Sequence, residues 1–334
     1  MSAAIYYTPE AYSTNGPRLM GRNSAGESFL RGYLKHSRAD AFWVQCDQAE
    51  HARQFAETVK AAGRNEPVKA VSRSNQADLA RAGTVYFPAP NIGDLAWHRA
   101  TFGHGAWSLC GITHTISTAS AMDGLANLLT APVQPWDAVI CTSTVARNVV
   151  ERIFQAHTDY LSDRLGAQRL VYPQLPVIPL GINTQDFVHS SEQREEARRS
   201  WCADESTLVV LFSGRLSFHA KAHPLVMYQA LEQAAATLHD GKKVLLVECG
   251  RHSNAAIAQA FSEAARLACP SVRVLALDGR EGDNYQRAWA GADVFCSLSD
   301  NLQETFGLTP LEAMAAGLPV VVSDWDGYKD TVRD

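Results

Sequence analysis

Along the chain, short apolar runs alternate with longer stretches in which apolar side chains recur every three or four positions. In the first half the runs are AIYYT, AFWVQC, TVYF, SLCGITHT and DAVICTS, and in the second TLVVLFSG, KVLLVEC, VRVLAL, DVFCSLS and LPVVVSD. Runs this short and this continuously apolar predict strands covered on both faces. The stretches between them, among them AEHARQFAETVKAAG, STVARNVVERIF, HPLVMYQALEQAAATLHDG, NAAIAQAFSEAARLA and LTPLEAMAAG, carry the helical period. A repeated strand–helix alternation predicts parallel sheets with helices on both faces, the doubly wound α/β class.

A chain of 334 residues corresponds to roughly two domains at about 150 residues each. The segment YPQLPVIPLGIN holds three prolines, suiting an extended connector better than a helix, and the charged stretch SSEQREEARRS after it reads as the helix opening the second half. The expected division is therefore 1–180 and 181–334, each Rossmann-like. The chain stops at VVVSDWDGYKDTVRD, and a second domain of this kind is expected to need another helix or two, so the sequence is expected to be a piece of a longer protein.

Composition narrows the classes. Apolar residues make up 46% and charged residues 19%, normal for a core-forming globular chain. The formal charge of −5, from 30 basic and 35 acidic residues, gives no electrostatic footprint for nucleic acid. No apolar stretch approaches the ~18 residues of a membrane-spanning helix, and the N-terminus lacks the basic start and apolar core of a secretory signal. Seven widely spaced cysteines without a CxxC read as small buried hydrophobes in a reducing compartment. The expected location is the cytoplasm, with peripheral contact at the inner membrane face left open.

Candidate chemistry concentrates in the second half. In QETFGLTPLEAMAAGLPVVVSD, Glu304 and Glu312 are separated by seven residues. The first lies in a strand–helix loop and the second about one turn into the helix that ends at Gly317. Pro310 sits near the helix start, where its missing N–H costs nothing. The amides of Gly307, Leu308 and Thr309 then point out of a helix N-terminus, a ready anion site. Two carboxylates flanking an anion site suit a ligand with hydroxyls at both ends and phosphate in the middle, such as a nucleotide-sugar. In LFSGRLSFHAKAHP, a strand ends at Gly214 and is followed by Arg215 and Lys221. A guanidinium and an ammonium there suit two phosphates, and such loops are where α/β sheets bind ligands.

Together these segments resemble the donor domain of retaining glycosyltransferases of family 4, which have the GT-B fold of two Rossmann-like domains facing a cleft. The resemblance runs through SGRLS with Lys221, VLALDG, ADVFCSLSD and ETFGLTPLEAMAAGLPVV, with VIPLGINTQDF as the entry to that domain. It covers Val177 to Asp334 closely and the first half loosely. It implies a first domain on the acceptor side and a second that binds the donor. Arg215 and Lys221 would hold the donor diphosphate. Glu304 would meet hydroxyls of the transferred sugar beside the amides of Phe306, Gly307 and Leu308, and Glu312 would meet the ribose. The backbone at Gly279 and Arg280 would face the base. In the first half the resemblance gives His114 a contact with the donor sugar and lets Gly26, taken to open the helix GESFLRGYLKH after a loop, turn its amide to the diphosphate. Two departures stand out: Ala222 follows Lys221 where the family has glycine, and Ala25–Gly26 stands where it has Gly-Gly.

The implied reaction transfers a sugar from a nucleotide-sugar to a glycan, lipid-linked or small-molecule acceptor. The anomeric configuration is retained, and the nucleotide-sugar is a co-substrate with no other cofactor and no metal. Two readings remain beside it, a GT-B sugar-nucleotide 2-epimerase and a non-catalytic nucleotide-sugar-binding protein. Other motifs are weaker. Gly21-x4-Gly26 mimics a phosphate loop, but Glu27 replaces its lysine. Asp324–Trp325–Asp326 spells D-x-D without the context of a metal–diphosphate site. His219 and His223 read as a helix entry rather than a zinc pair. No strand–GxGxxG–helix supports a dinucleotide oxidoreductase.

Overall fold

The structure is a computed structural model that describes residues 3–14, 21–218 and 221–333. His219, and Leu19 and Met20 ahead of Gly21, lie outside the described residues. The chain divides into two compact units, Met1–Gly181 and Ile182–Asp334.

The first unit is built on a six-stranded sheet: β1 Ala4–Tyr6, β2 Phe42–Gln45, β3 Val68–Val71, β4 Thr84–Tyr86, β5 Ser108–Ile112 and β6 Ala138–Ile140. The order is β3-β2-β1-β4-β5-β6 and each pairing is parallel. This is the doubly wound order that reverses between β1 and β4. Apolar layers cover both faces, one around Val85, Leu109 and Val139, the other around Ile5, Phe42 and Val44. The proline-rich connector hydrogen-bonds along the outer edge of β6, with Ala138 opposite Gln174 and Cys141 opposite Val177. Arg99 and Asp137, both fully buried, form a bidentate pair at 2.6 and 2.7 Å, and Asp137 also accepts from the amides of Leu109 and Gln134.

The second unit has five strands: β7 Thr207–Ser213, β8 Lys243–Cys249, β9 Arg273–Leu277, β10 Val294–Ser297 and β11 Val320–Val322. They run β11-β10-β7-β8-β9, again parallel. Alternate residues of β7 enter opposite layers, Val209 and Leu211 with Trp289 and Phe295, and Val210 and Phe212 with Tyr228 and Phe261. The charged helix Ser191–Ser200 is closed by a capping box of Ser190 and Gln193. Arg194 and Arg198 of this helix both reach Asp293, which also accepts from the amide of Val209. All seven cysteines are free thiols; five are buried, Cys110 is half-buried and Cys202 exposed.

Three elements depart from the sequence reading. The strand β3 was not predicted, because V-K-A-V is a short edge strand whose middle residues face solvent and carry no alternation. The helix read from STVARNVVERIF continues to Leu165, since QAHTDYLSDRL has few apolar positions to mark it. Gly26 does not open a helix. It is the sixth residue of the helix Gly21–His36, beyond the first turn, whose amides lack intrahelical partners. It is buried, and a Cβ there would lie 1.9 Å from the carbonyl oxygen of Ala11. Its glycine therefore answers to the close approach of the Pro9–Tyr12 turn. Gly21 lies in the same helix, so Gly21-x4-Gly26 is no phosphate loop.

Candidate functional site

In the second unit the strand order reverses between β7 and β10, and the carboxyl ends of such neighbouring strands are where open α/β sheets bind ligands. The loop after β7 begins with Gly214, whose amide donates to the carbonyl of Cys249 at 3.0 Å, and continues through the exposed Arg215 to Lys221. The loop after β10 carries Glu304. The Lys221 ammonium donates to Oε2 of Glu304, and the two side chains are only 14% and 12% exposed. Burial disfavours the Lys221 ammonium, but the Glu304 carboxylate beside it, together with the nearby Tyr328, more than offsets this and holds the group above the ordinary lysine value; Arg215 acts in the opposite sense.

Two bonds tie the loops together: Ser299 Oγ donates to the carbonyl of Lys221 at 3.1 Å, and the amide of His223 to Asp300 at 3.3 Å. His223 Nδ1 accepts from the amide of Leu225 at 3.3 Å, at the start of the helix Leu225–Thr237, which is the helix-entry role for this residue.

Beyond Glu304 the chain turns through the buried Phe306 into the helix Leu308–Ala315. Gly307 is its N-cap at φ 88°, in the left-handed region that favours glycine. A Cβ on it would come 2.3 Å from the Tyr328 ring. Leu308 and Thr309 are the first two helical residues and are half-buried; their amides belong to the end of the helix that lacks intrahelical acceptors. Glu312, the fifth residue, is buried and accepts from the Tyr285 hydroxyl at 3.0 Å. Burial pushes its carboxyl up to about 7, against the hydrogen bond from Tyr285 and the charge of Lys221.

Gly279 and Arg280 follow β9 and Asp278. Gly279 is half-buried against Cys249 and Tyr285. The Arg280 guanidinium is engaged by Asp278 at 2.9 and 2.5 Å, and that contact holds the Asp278 carboxyl below its usual value.

The structure thus brings Gly214, Arg215, Lys221, Glu304, Phe306, Gly307, Leu308, Thr309 and Glu312 to one end of the second sheet, with Gly279 and Arg280 at the end of its edge strand. His114 and Gly26 belong to the first unit. His114 lies just past β5, half-buried, and burial together with the charge of Arg22 pushes its imidazole down to about 4. Asp326, the last residue of the D-x-D, is buried at φ 43°, with Oδ2 unpaired. Among the described residues no three His, Cys, Asp or Glu side chains gather as a metal-ligand group. Also among them, no helix is long and apolar enough to cross a membrane.

Sequence reasoning did not single out Tyr285, Tyr328 or Ser297. Tyr328 is fully buried and its hydroxyl lies 2.8 Å from Ser297 Oγ at the end of β10. Nothing in its spacing separates it from an ordinary core aromatic.

Residues 193–334 match the family model described as Glycosyl transferases group 1. A D-inositol 3-phosphate glycosyltransferase of Salinispora tropica is 31% identical over 172 residues, 48% of this chain and 34% of its own length. A GDP-mannose-dependent alpha-(1-6)-phosphatidylinositol dimannoside mannosyltransferase of Mycobacterium tuberculosis is 27% identical over 188 residues, 56% of this chain and 41% of that protein. The chain spans 34% to 52% of the length of these and a further such relative from Actinosynnema mirum. Among solved structures, Anabaena HepE in complex with UDP-glucose matches with a TM-score of 0.63 at 14% identity, over 100% of this chain and 83% of that one. A glycosyltransferase of Rickettsia africae matches at a TM-score of 0.60 and 13% identity, over 100% and 82%. The fold is the two-domain, Rossmann-like GT-B fold.

Proposed function

We propose that this chain is a glycosyltransferase that takes a sugar from a nucleoside diphosphate sugar and passes it to an acceptor hydroxyl, retaining the anomeric configuration and using no metal. The observation that carries this reading is the Lys221–Glu304 pair beside the N-terminus of the helix Leu308–Ala315, at the reversal point of the second sheet. The family-model match over 193–334 supports it.

In this reading Arg215 and Lys221 hold the diphosphate together with the first amides of the helix. As the sugar–phosphate bond breaks, negative charge grows on the departing phosphate, and preorganised donors aimed at that charge lower the barrier most. Glu304 accepts from sugar hydroxyls while its partner Lys221 faces the phosphate, so one ion pair addresses both ends of the breaking bond. Glu312 accepts from the ribose hydroxyls, and the backbone at Gly279 lies toward the base. The neutral His114 contributes a hydrogen bond to the sugar. Retention follows if the acceptor attacks on the face from which the phosphate leaves and that phosphate receives the acceptor's proton. The first unit serves the acceptor. The named relatives act on inositol phosphate and on a phosphatidylinositol mannoside, so phosphorylated polyols and lipid-linked glycans are the first acceptors to try.

The test is product analysis by NMR with UDP-, GDP- and ADP-sugars, each with and without such acceptors. A new glycoside with the donor's anomeric configuration supports the reading. Epimerised donor formed without an acceptor points to the 2-epimerase instead, and donor binding with no turnover to a non-catalytic binding protein. An inverted product, or activity lost to EDTA and restored by Mn²⁺, contradicts the retaining, metal-free mechanism.

A further inference from the structure

Tyr328 belongs to the segment that follows β11, distant in sequence from Lys221, yet it lies close enough to both Lys221 and Glu304 for their charges to act on it. Its ring occupies the space a side chain on Gly307 would fill, with Cε1 and Cδ1 at 2.3 and 2.4 Å from that Cβ position. The hydroxyl lies 2.8 Å from Ser297 Oγ, the last residue of β10. The neighbouring amide of Gly327 donates to the carbonyl of Glu304 itself at 3.1 Å, and Thr331 Oγ1 reaches the carbonyl of Phe306 at 3.5 Å. Asp326 turns the chain at φ 43°, in the left-handed region that aspartate enters more readily than most non-glycine residues. Burial raises the Tyr328 phenol, and the charges of Lys221 and Glu304 act on it in opposite directions. The segment from Asp326 to Thr331 is thus bonded to the loop that carries Glu304 and the helix N-terminus.

We infer that Tyr328 is a positioning residue for transfer: its ring sets the Gly307 turn and its hydroxyl anchors that turn to the end of β10, fixing the helix amides and Glu304 relative to Lys221. The inference rests on the function proposed above. Two links are involved, and they can be separated. The ring contact governs the left-handed turn, and with it the direction of the first helical amides. The hydroxyl contact governs how that turn sits on the sheet. Displacing charge-stabilising groups by a fraction of an ångström weakens their hold on a developing charge more than their hold on the ground-state ligand. The signature is therefore a loss in kcat with little change in donor affinity, whereas a merely structural role would lower the folding midpoint and leave the kinetics of the folded fraction unchanged.

The experiment measures folding midpoint, donor dissociation constant, kcat and KM for the wild-type chain and for Tyr328→Leu, Tyr328→Phe, Ser297→Ala and the Tyr328→Phe/Ser297→Ala double variant. Expected is a fall in kcat of about tenfold or more for Tyr328→Leu with donor affinity within about threefold, and a smaller fall for each single-hydroxyl variant. The double variant should lose no more than one single variant does, because both remove the same bond. If Tyr328→Leu does not fold, the two single-hydroxyl variants decide the matter by the same coupling. Wild-type kcat and KM in the folded variants overturn the role of Tyr328 while leaving the proposed function intact. A wild-type chain that neither binds nor turns over any nucleoside diphosphate sugar removes the proposed function, and this inference with it.

Discussion

Lys221 and Glu304, 83 positions apart in the chain, meet in an ion pair that joins the loop after β7 to the loop after β10. Both side chains are largely withdrawn from water, so removing one partner strands a charge. Lys221→Met alone should cost about 3–5 kcal/mol of stability, the range for breaking a buried pair. Adding Glu304→Gln should recover much of that loss without restoring transfer. Urea denaturation of the wild-type chain and both variants checks this, and wild-type midpoints in both variants would show that the pair contributes nothing to the fold.

Arg215 is exposed at the end of the same sheet, so its loss should leave folding unchanged. Arg215→Ala should lower transfer by about 10²–10³, the typical effect of losing one charge-stabilising donor. Steady-state rates at saturating donor decide it; turnover within a few-fold of wild type would take Arg215 out of the diphosphate site.

Glu312 and Glu248 are both buried carboxyls pushed up to about 7. Between the unfolded value near 4.3 and about 7 the folded chain keeps protons that the unfolded chain releases, so their contribution to stability falls as pH rises through that window and levels off above it. Tyr228 donates to Glu248 at 2.6 Å deep in the core, so Glu248→Gln should flatten part of this slope without altering donor binding. Glu312→Gln should flatten another part and weaken the nucleotide. Thermal midpoints from pH 5 to 8.5 read the slope. A variant with the wild-type slope refutes the assignment for that carboxyl.

His114, pushed down to about 4, should remain neutral throughout the usual assay range. His114→Ala should reduce transfer, and the wild-type rate should show no inflection near the ordinary histidine value of about 6.5 that vanishes in the variant. A pH–rate profile of both proteins is the check.

Gly26→Ala separates packing from ligand binding. Its Cβ would strike the Ala11 carbonyl, and overpacking of this kind costs about 1–3 kcal/mol. Stability should fall while the donor dissociation constant holds. A fold of unchanged stability with weakened donor binding would return Gly26 to the diphosphate.

The strands were largely legible because buried parallel strands are written as continuous apolar runs, and TLVVLFSG and KVLLVEC emerge as β7 and β8 almost to the residue. The chemistry of the second unit was legible for a related reason: Glu304, Gly307 and Glu312 are close in sequence, so local geometry alone puts them on one loop and helix. The Lys221–Glu304 contact was not, since no periodicity records which loops meet across a sheet reversal. Tyr328 stayed hidden because its role lies in the space Gly307 leaves empty. The helix around Gly26 was misplaced because its first turn, GRNS, carries no apolar signal. The edge strand β3 was missed for want of the same signal.

The most direct test is calorimetric titration of the wild-type chain, Arg215→Ala and the Lys221→Met/Glu304→Gln double variant with UDP-, GDP- and ADP-sugars. The account predicts that the wild type binds at least one of these donors and that both variants bind it at least about tenfold more weakly, a loss of about 1.4 kcal/mol. No binding to any donor, or equal binding by all three proteins, would contradict it.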